Sequence, residues 1–348
     1  MLKDVSPEEL FNIRDTVYID GRSEDEYNEG TIPGALNVPL FDNEERAEIG
    51  TIYAQDSPQN AYSRGLEIAS RKLPELYKQI KEVSKNRPVL VFCWRGGMRS
   101  KALATVLDLM GLSVLRLSGG YKAYRNLILD FFAAEFPFHV VVLRGNTGTG
   151  KTNLLKKLKS DGYPVIDLEG LSNNRGSVFG HIGLGLQPTQ KQFESLLYNE
   201  IQGYQNYPYL IMECESKRIG RVTLPNTVYS AMQQGTQVLL YDTLPNRVAR
   251  LVQEYAALPE ITDELEESLE RLKKRIGKKA VEELIQHLRD HNYEKLTERL
   301  ILEYYDNLYG YPNEDSADFS YCISYSDEED GFKRIKTYLD SNFSLNNY

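Results

Sequence analysis

Cysteine and tryptophan are scarce in this chain, with three Cys at positions 93, 214 and 322 and a single Trp at 94. Thiols spaced so widely form neither a disulfide framework nor a zinc-ligand pattern, and this predicts a reducing compartment. No apolar run approaches the roughly 20 residues of a membrane-crossing helix. The opening Met1-Leu-Lys-Asp-Val-Ser-Pro-Glu-Glu lacks an apolar signal core. There is no internal repeat and no low-complexity tract. A basic excess is missing too: 41 Lys and Arg against 50 Asp and Glu give a net charge of −9, so total charge does not advertise nucleic acid. These absences predict a cytoplasmic protein with no membrane partner. What remains is 348 residues of globular composition, 41% hydrophobic and 26% charged, long enough that two domains are expected.

Apolar runs alternate with helical patterns from the start. Strand-like segments at 17–20, 34–39, 88–92 and 113–117 are separated by helical stretches at about 61–84 and 100–110. That order predicts an α/β unit over 1–128, with a parallel sheet and helices on both faces. A second α/β unit is expected over 136–260, from runs at 139–144, 163–167, 209–213 and 237–242. Residues 261–348 read as a mainly helical extension of that second unit.

The stretch Val89-Leu-Val-Phe-Cys93-Trp94-Arg95-Gly96-Gly97-Met98-Arg99-Ser100 carries the first chemical signal. A buried strand delivers Cys93 to its carboxyl end, and a helical pattern begins at Ser100. Loops of this kind aim backbone N–H groups and a helix N-terminus at one point, which favours anions and the thiolate form of cysteine. A free cysteine is more often a small buried hydrophobe. The neighbouring Arg95, Arg99, Gly96 and Gly97 argue for a nucleophile acting on something anionic.

The second signal is Gly145-Asn146-Thr147-Gly148-Thr149-Gly150-Lys151-Thr152, a G-x-x-x-x-G-K-T loop between a strand and a helix. Its amides wrap phosphates, Lys151 reaches the terminal one, and the Thr152 hydroxyl is the place for Mg²⁺. Polyphosphate or pyrophosphate binding follows; hydrolysis needs further groups. Candidates for a second set at this site are Asp167, Glu169, Arg175 and Ser177, then Glu213, Glu215 and Arg218, each just after an apolar run.

Cys93-x5-Arg99 has the spacing of cysteine-dependent phosphatases, in which Arg forks onto two phosphate oxygens. It also resembles the rhodanese loop, whose cysteine carries a persulfide sulfur. Asp20-Gly-Arg22, Glu26-Tyr27, Gly30-Thr-Ile-Pro-Gly-Ala35 and Asn37-Val-Pro39 are similar to the rhodanese signature, and this resemblance makes Asp20 and Arg22 supports of the loop. Rhodanese loops mostly have one residue fewer; phosphatase loops usually have His where Phe92 stands. The longer ring suits a larger anion or chalcogen.

A rhodanese unit with Cys93-Trp-Arg-Gly-Gly-Met-Arg-Ser100, joined to a P-loop unit with Asp167-Leu-Glu-Gly-Leu171 and Arg175-Gly-Ser-Val-Phe-Gly180, resembles the tRNA 2-selenouridine synthase family. Glu48-Ile-Gly-Thr-Ile-Tyr53, Glu213-Cys-Glu-Ser-Lys-Arg218 and Tyr304-Tyr305-Asp306 add to the likeness. One position departs from it: Asn174 stands where His often precedes Arg-Gly-Ser. The resemblance implies exchange of the sulfur of wobble 2-thiouridine for selenium from selenophosphate, through an S-geranyl intermediate made with geranyl diphosphate. The 145–152 loop would then hold pyrophosphate, with no tightly bound cofactor beyond Mg²⁺. Cys93 would act as nucleophile or selenium carrier, Arg95 and Arg99 would balance charge, and Trp94 would stack on a base or pack beneath the loop. A selenophosphate-supplying enzyme would be a partner.

For the tRNA, a basic helix over 271–279, with Lys273, Lys274, Arg275 and Lys278, and a Tyr-rich surface at Tyr304 and Tyr305 are the expected contacts. The alternatives are an ATP-dependent sulfurtransferase, a Cys-x5-Arg phosphatase and a non-catalytic adaptor.

Overall fold

The computed structural model describes residues 2–176, 179–256 and 262–343. They divide into two compact units, Met1–Ala134 with Thr189–Gln202, and Glu135–Pro188 with Gly203–Tyr348. No described helix is long and apolar enough to cross a membrane.

The first unit is built on β1 (Lys3–Val5), β2 (Val17–Asp20), β3 (Leu36–Asn37), β4 (Val89–Phe92) and β5 (Val114–Leu117). All pair in parallel, in the order β1-β5-β4-β2-β3. β4 is central and buried on both faces, which explains its unbroken apolar run. Helices α1 (Glu24–Glu29), α2 (Asn43–Gln55), α3 (Pro58–Ser84), α4 (Met98–Leu109) and α5 (Gly120–Ala133) surround this sheet. β1 and α2 went unseen in the sequence, β1 because three residues carry no periodicity and α2 because it buries no residue of its own.

The second unit opens with β6 (His139–Arg144), α6 (Lys151–Ser160), β7 (Val165–Ile166) and α7 (Leu168–Ser172). Next comes α8 (Gln190–Gln202), which belongs to the first unit although its sequence lies in the stretch expected for the P-loop unit. Its Tyr198 meets Phe11, Phe131 and Phe132 edge-on, and Arg125 pairs with Glu194. The second unit continues with β8 (Tyr209–Glu213), the hairpin β9 (Arg218–Ile219) and β10 (Val222–Thr223), α9 (Asn226–Gln234), β11 (Thr236–Tyr241) and α10 (Leu244–Ala256).

Five helices follow: α11 (Thr262–Arg271), α12 (Lys273–Ile276), α13 (Lys278–Arg289), α14 (Tyr293–Leu300) and α15 (Asp306–Tyr309). The last two elements are β12 (Tyr321–Ser324) and α16 (Glu328–Asn342). β12 pairs in parallel with β11 and completes a sheet of order β12-β11-β6-β8-β7. The C-terminal segment is therefore helical but also supplies a strand, one too short and too little buried to announce itself.

Two expectations for the tRNA surface are corrected. The basic run is not one helix, because Gly277 at φ 89° separates α12 from α13. Tyr304 and Tyr305 do not form a surface. They sit in a π-helical turn, Ile301–Tyr305, and are 5% and 4% exposed in a core with Leu272, Val281 and Leu284.

Candidate functional sites

In the first unit, Cys93 follows β4, and Phe92 is in register with Asp20 of β2. The carbonyls of Cys93 and Trp94 accept from the amides of Tyr121 (2.9 Å) and Lys122 (2.8 Å), so the loop is tied to the start of α5. That approach requires glycine at 120: φ is +59°, and a Cβ there would run into the Cys93 carbonyl oxygen. The thiol is buried and donates to Ser100 Oγ at 3.2 Å, and Ser100 Oγ donates to Gly97 O. Gly97 caps α4, whose first residues are Met98 and Arg99.

Asp20 and Arg22 lie under this loop, both fully buried. Arg22 Nη2 donates to Asp20 Oδ2 (2.6 Å) and to Gly30 O (2.7 Å), its Nε donates to Asp20 Oδ1 (3.0 Å), and Thr31 Oγ1 donates to Asp20 Oδ2 (2.8 Å). The Arg22 guanidinium also lies 4.0 Å from the Tyr121 ring centre.

Arg95 is exposed in the loop, whereas Arg99 is engaged. Its guanidinium forks onto Glu26, with Nη1 to Oε2 at 2.6 Å and Nη2 to Oε1 at 3.2 Å. Burial opposes ionisation of Glu26, but the hydrogen bond and charge of Arg99 outweigh it and hold the carboxyl below its usual range. In the sequence Glu26 stood out only as part of the rhodanese-like signature, with no role at the loop. It stands three residues past α1's N-cap Ser23 and also completes a capping box there.

The Cys93 loop also borders a groove of about 920 Å³, whose walls come from α2 and α3. Trp94 lines it, with its ring 5.9 Å from that of Tyr121, so packing and an open face coexist.

In the second unit, the loop between β6 and α6 lines a cavity of about 530 Å³. Gly145 has φ 150°, and a Cβ there would collide with Leu240 O of β11. Asn146 and Thr149 are buried: Asn146 Nδ2 donates to Tyr311 O (2.8 Å), and Thr149 Oγ1 to Asn146 O (2.9 Å). Arg247 Nε and Arg250 Nη1 hold the carbonyls of Thr147 and Gly148. Lys151 Nζ folds back onto Gly145 O (2.7 Å) and Asn146 O (3.3 Å).

Facing the loop, carboxylate oxygens of Glu169, Glu213 and Glu215 lie within 4.8 Å of one another. Thr152 Oγ1 is 3.5 Å from Glu169 Oε2. Burial and then the charges of Glu169 and Glu215 drive the Glu213 carboxyl well upward, and its Oε1 has no partner among the described residues. Glu215 is pushed up to about 8 by burial and by Glu169. Burial lowers Lys151, against the pull of the three glutamates. Three crowded carboxylates with a hydroxyl beside them are a hard-oxygen donor set that fits Mg²⁺. Sequence reasoning named each of these residues; their convergence depends on β8 lying between β6 and β7.

The remaining candidates divide. Arg175 lines the cavity and donates to Ile182 O. Asp167 instead caps α7 by accepting from Gly170 N (2.8 Å), and Arg218 turns back to Gly220 O within its own hairpin. Ser177 lies outside the described residues. Lys274 is exposed, Lys273 pairs with Glu270 and Lys278 with Glu282, while Arg275 Nη1 donates to Tyr304 Oη at 3.3 Å. Tyr305 lines the P-loop cavity together with Tyr309 and Tyr311, which the sequence did not flag.

Comparison with known proteins gives two family matches, the tRNA 2-selenouridine synthase AAA domain over residues 138–341 and the rhodanese-like domain over 6–127. A tRNA 2-selenouridine synthase of Sulfurovum sp. (strain NBC37-1) is 33% identical over 337 residues, covering 88% of this chain and 91% of that one. Proteins of the same name from Hydrogenovibrio crunogenus (34% over 324 residues; 84% of this chain, 88% of that one) and Pseudomonas fluorescens (32% over 339 residues; 88% and 91%) are similar.

Proposed function

Because the chain belongs to the tRNA 2-selenouridine synthase family of tRNA-modifying transferases, we propose that it replaces the sulfur of wobble 2-thiouridine with selenium in two steps, in the cytoplasm. In the first step the thiouridine sulfur attacks C1 of geranyl diphosphate. The C1–O bond breaks, diphosphate leaves, and the base loses its N3 proton. Lys151 and the 145–152 amides bind that diphosphate, with Lys151 exchanging its loop carbonyls for phosphate oxygens. Glu169, Glu213, Glu215 and Thr152 would hold Mg²⁺, which supplies positive charge to the leaving diphosphate.

In the second step the Cys93 thiolate adds to C2 of the S-geranyl base and geranylthiolate leaves. The selenium of selenophosphate, supplied by another enzyme, then takes C2 and returns the thiolate. Water splits the P–Se bond, releasing phosphate and 2-selenouridine. Arg95 orients the anionic donor, and Arg99 joins it if Glu26 yields.

The observation that carries this reading is Cys93, a buried nucleophile at the floor of a glycine- and arginine-rich loop, in a chain that also holds a complete phosphate loop. The test is nucleoside mass spectrometry after incubation with 2-thiouridine tRNA, geranyl diphosphate and selenophosphate. Wild type should yield selenouridine, Cys93→Ser should accumulate the S-geranyl product, and Lys151→Ala should yield neither. Selenouridine formation by Cys93→Ser at the wild-type rate would remove Cys93 from the chemistry.

The carboxylate cluster favours a second reading, an ATP-dependent sulfurtransferase, since an acid at the end of a strand beside the P-loop strand is where nucleotide hydrolases hold Mg²⁺. That reading predicts tRNA-stimulated ATP turnover abolished by Lys151→Ala.

A further inference from the structure

The groove at Cys93 is much larger than an inorganic anion needs. At about 920 Å³ it is of the size that holds drug-sized organic ligands, roughly 300–1,000 Å³. One end is the Cys93 loop, with the thiol and Arg95. Beyond it the lining is mostly apolar, from Phe41 and Ile49 to Tyr53, Tyr62, Leu66 and Met98, with Arg46 and Gln55 among the polar exceptions. Four of these side chains are held in water at a hydrophobic cost: Leu66 is 69% exposed, Met98 61%, Tyr53 54% and Tyr62 46%. By contrast, the P-loop cavity is crowded with charge, from Lys151, Lys156, Arg175 and Arg250 to the three glutamates. A molecule with a polar reacting centre and an apolar tail matches the first site and not the second.

We propose that the groove binds the geranyl chain of the S-geranyl-2-thiouridine substrate and thereby brings C2 of that base to Cys93. This inference rests on the two-step reading above and assigns its second substrate a binding site. The chain lies along α2 and α3, and the sulfur points toward the loop. Once the C2–S bond breaks, geranylthiolate withdraws along the apolar trough, clearing the loop for selenophosphate.

Trp94, the sole tryptophan, lines the groove and reports its filling by fluorescence. The full chain is titrated with S-geranyl-2-thiouridine and S-methyl-2-thiouridine nucleosides. Each buried methylene tightens binding roughly fourfold, so burying four of the chain's carbons gives a preference on the order of a hundredfold for the geranyl compound. Gly50→Phe fills the groove from α2. A Cβ at Gly50 meets nothing within 4 Å, and glycine is a poor helix former, so the helix tolerates the change. Leu66→Asp, at an exposed position, is the independent second variant.

Both variants should lower the preference at least tenfold while methyl-nucleoside binding persists. Equal affinity of wild type for the two nucleosides, or a preference that survives both variants, overturns the assignment. Failure of wild type to make any S-geranyl product from geranyl diphosphate would refute the two-step reading, while the nucleoside titration would still decide what the groove binds.

Discussion

Replacing Arg22 by alanine should be among the most damaging single changes in the first unit, although Arg22 touches no substrate in the proposed chemistry. Arg22 and Asp20 are 1% and 0% exposed, and three of the guanidinium's hydrogen bonds go to Asp20 while a fourth goes to Gly30 O. Without Arg22 the Asp20 carboxylate keeps Thr31 Oγ1, a backbone amide and the more distant charge of Arg99, but stays buried without its directly paired cation. Breaking one side of a buried pair costs about 3–5 kcal/mol, whereas replacing both partners with apolar or neutral groups is often nearly neutral. Arg22→Ala should therefore lower the unfolding free energy by about 3–5 kcal/mol, and Asp20→Asn combined with Arg22→Met by clearly less. Urea unfolding followed by Trp94 fluorescence reads this unit specifically, since no other tryptophan is present. Arg22→Ala within about 1 kcal/mol of wild type, or a double variant as unstable as the sum of its parts, would refute the argument.

Glu215 holds its proton more tightly in the folded chain than in the unfolded one, at about 8 against an ordinary 4.5. Its stabilising contribution is thus fully present below about pH 4.5 and lost as the pH rises through about 8. Without divalent cation, wild-type melting temperature should drop over that window more than that of Glu215→Gln, and Mg²⁺ should flatten the wild-type curve; identical pH profiles would contradict this. For tRNA, Arg275 is better left in place because it holds Tyr304. Changing Lys273, Lys274 and Lys278 to Gln should reduce the slope of log affinity against log salt by about 2–3 if all three meet phosphates, and an unchanged slope would remove this run from the interface.

Both reactive loops were legible in the sequence because each is local: a strand, a short glycine-rich turn and a helix, with every chemical group inside about ten residues. The alternating units were legible for the same reason. What stayed hidden depends on neighbours far apart in the chain. The Arg99–Glu26 fork joins residues 73 positions apart, and nothing near Arg99 reveals that its charge is already engaged. The groove has no motif of its own, since it arises where α2 and α3 fail to close over the Cys93 loop. Tyr304 and Tyr305 were misread because their rings pack into a core assembled from helices distant in the sequence, with Leu272, Val281 and Leu284. β12 escaped because three of its four residues are only half-buried, and only Ile323 reads as core.

That last strand has a consequence for synthesis on the ribosome. β12 pairs along β11, and just before it Tyr311 and Asn313 bind the side chain of Asn146 in the phosphate loop. A nascent chain that has emerged only as far as α10 carries the whole Gly145–Thr152 motif, yet its sheet still has an open edge at β11 and Asn146 lacks its anchors. The phosphate loop therefore matures late: about 175 residues separate its first glycine from the strand that completes its sheet. Until that strand arrives, the exposed edge of β11 is the place where a second nascent chain, or a chaperone, would find the young protein first.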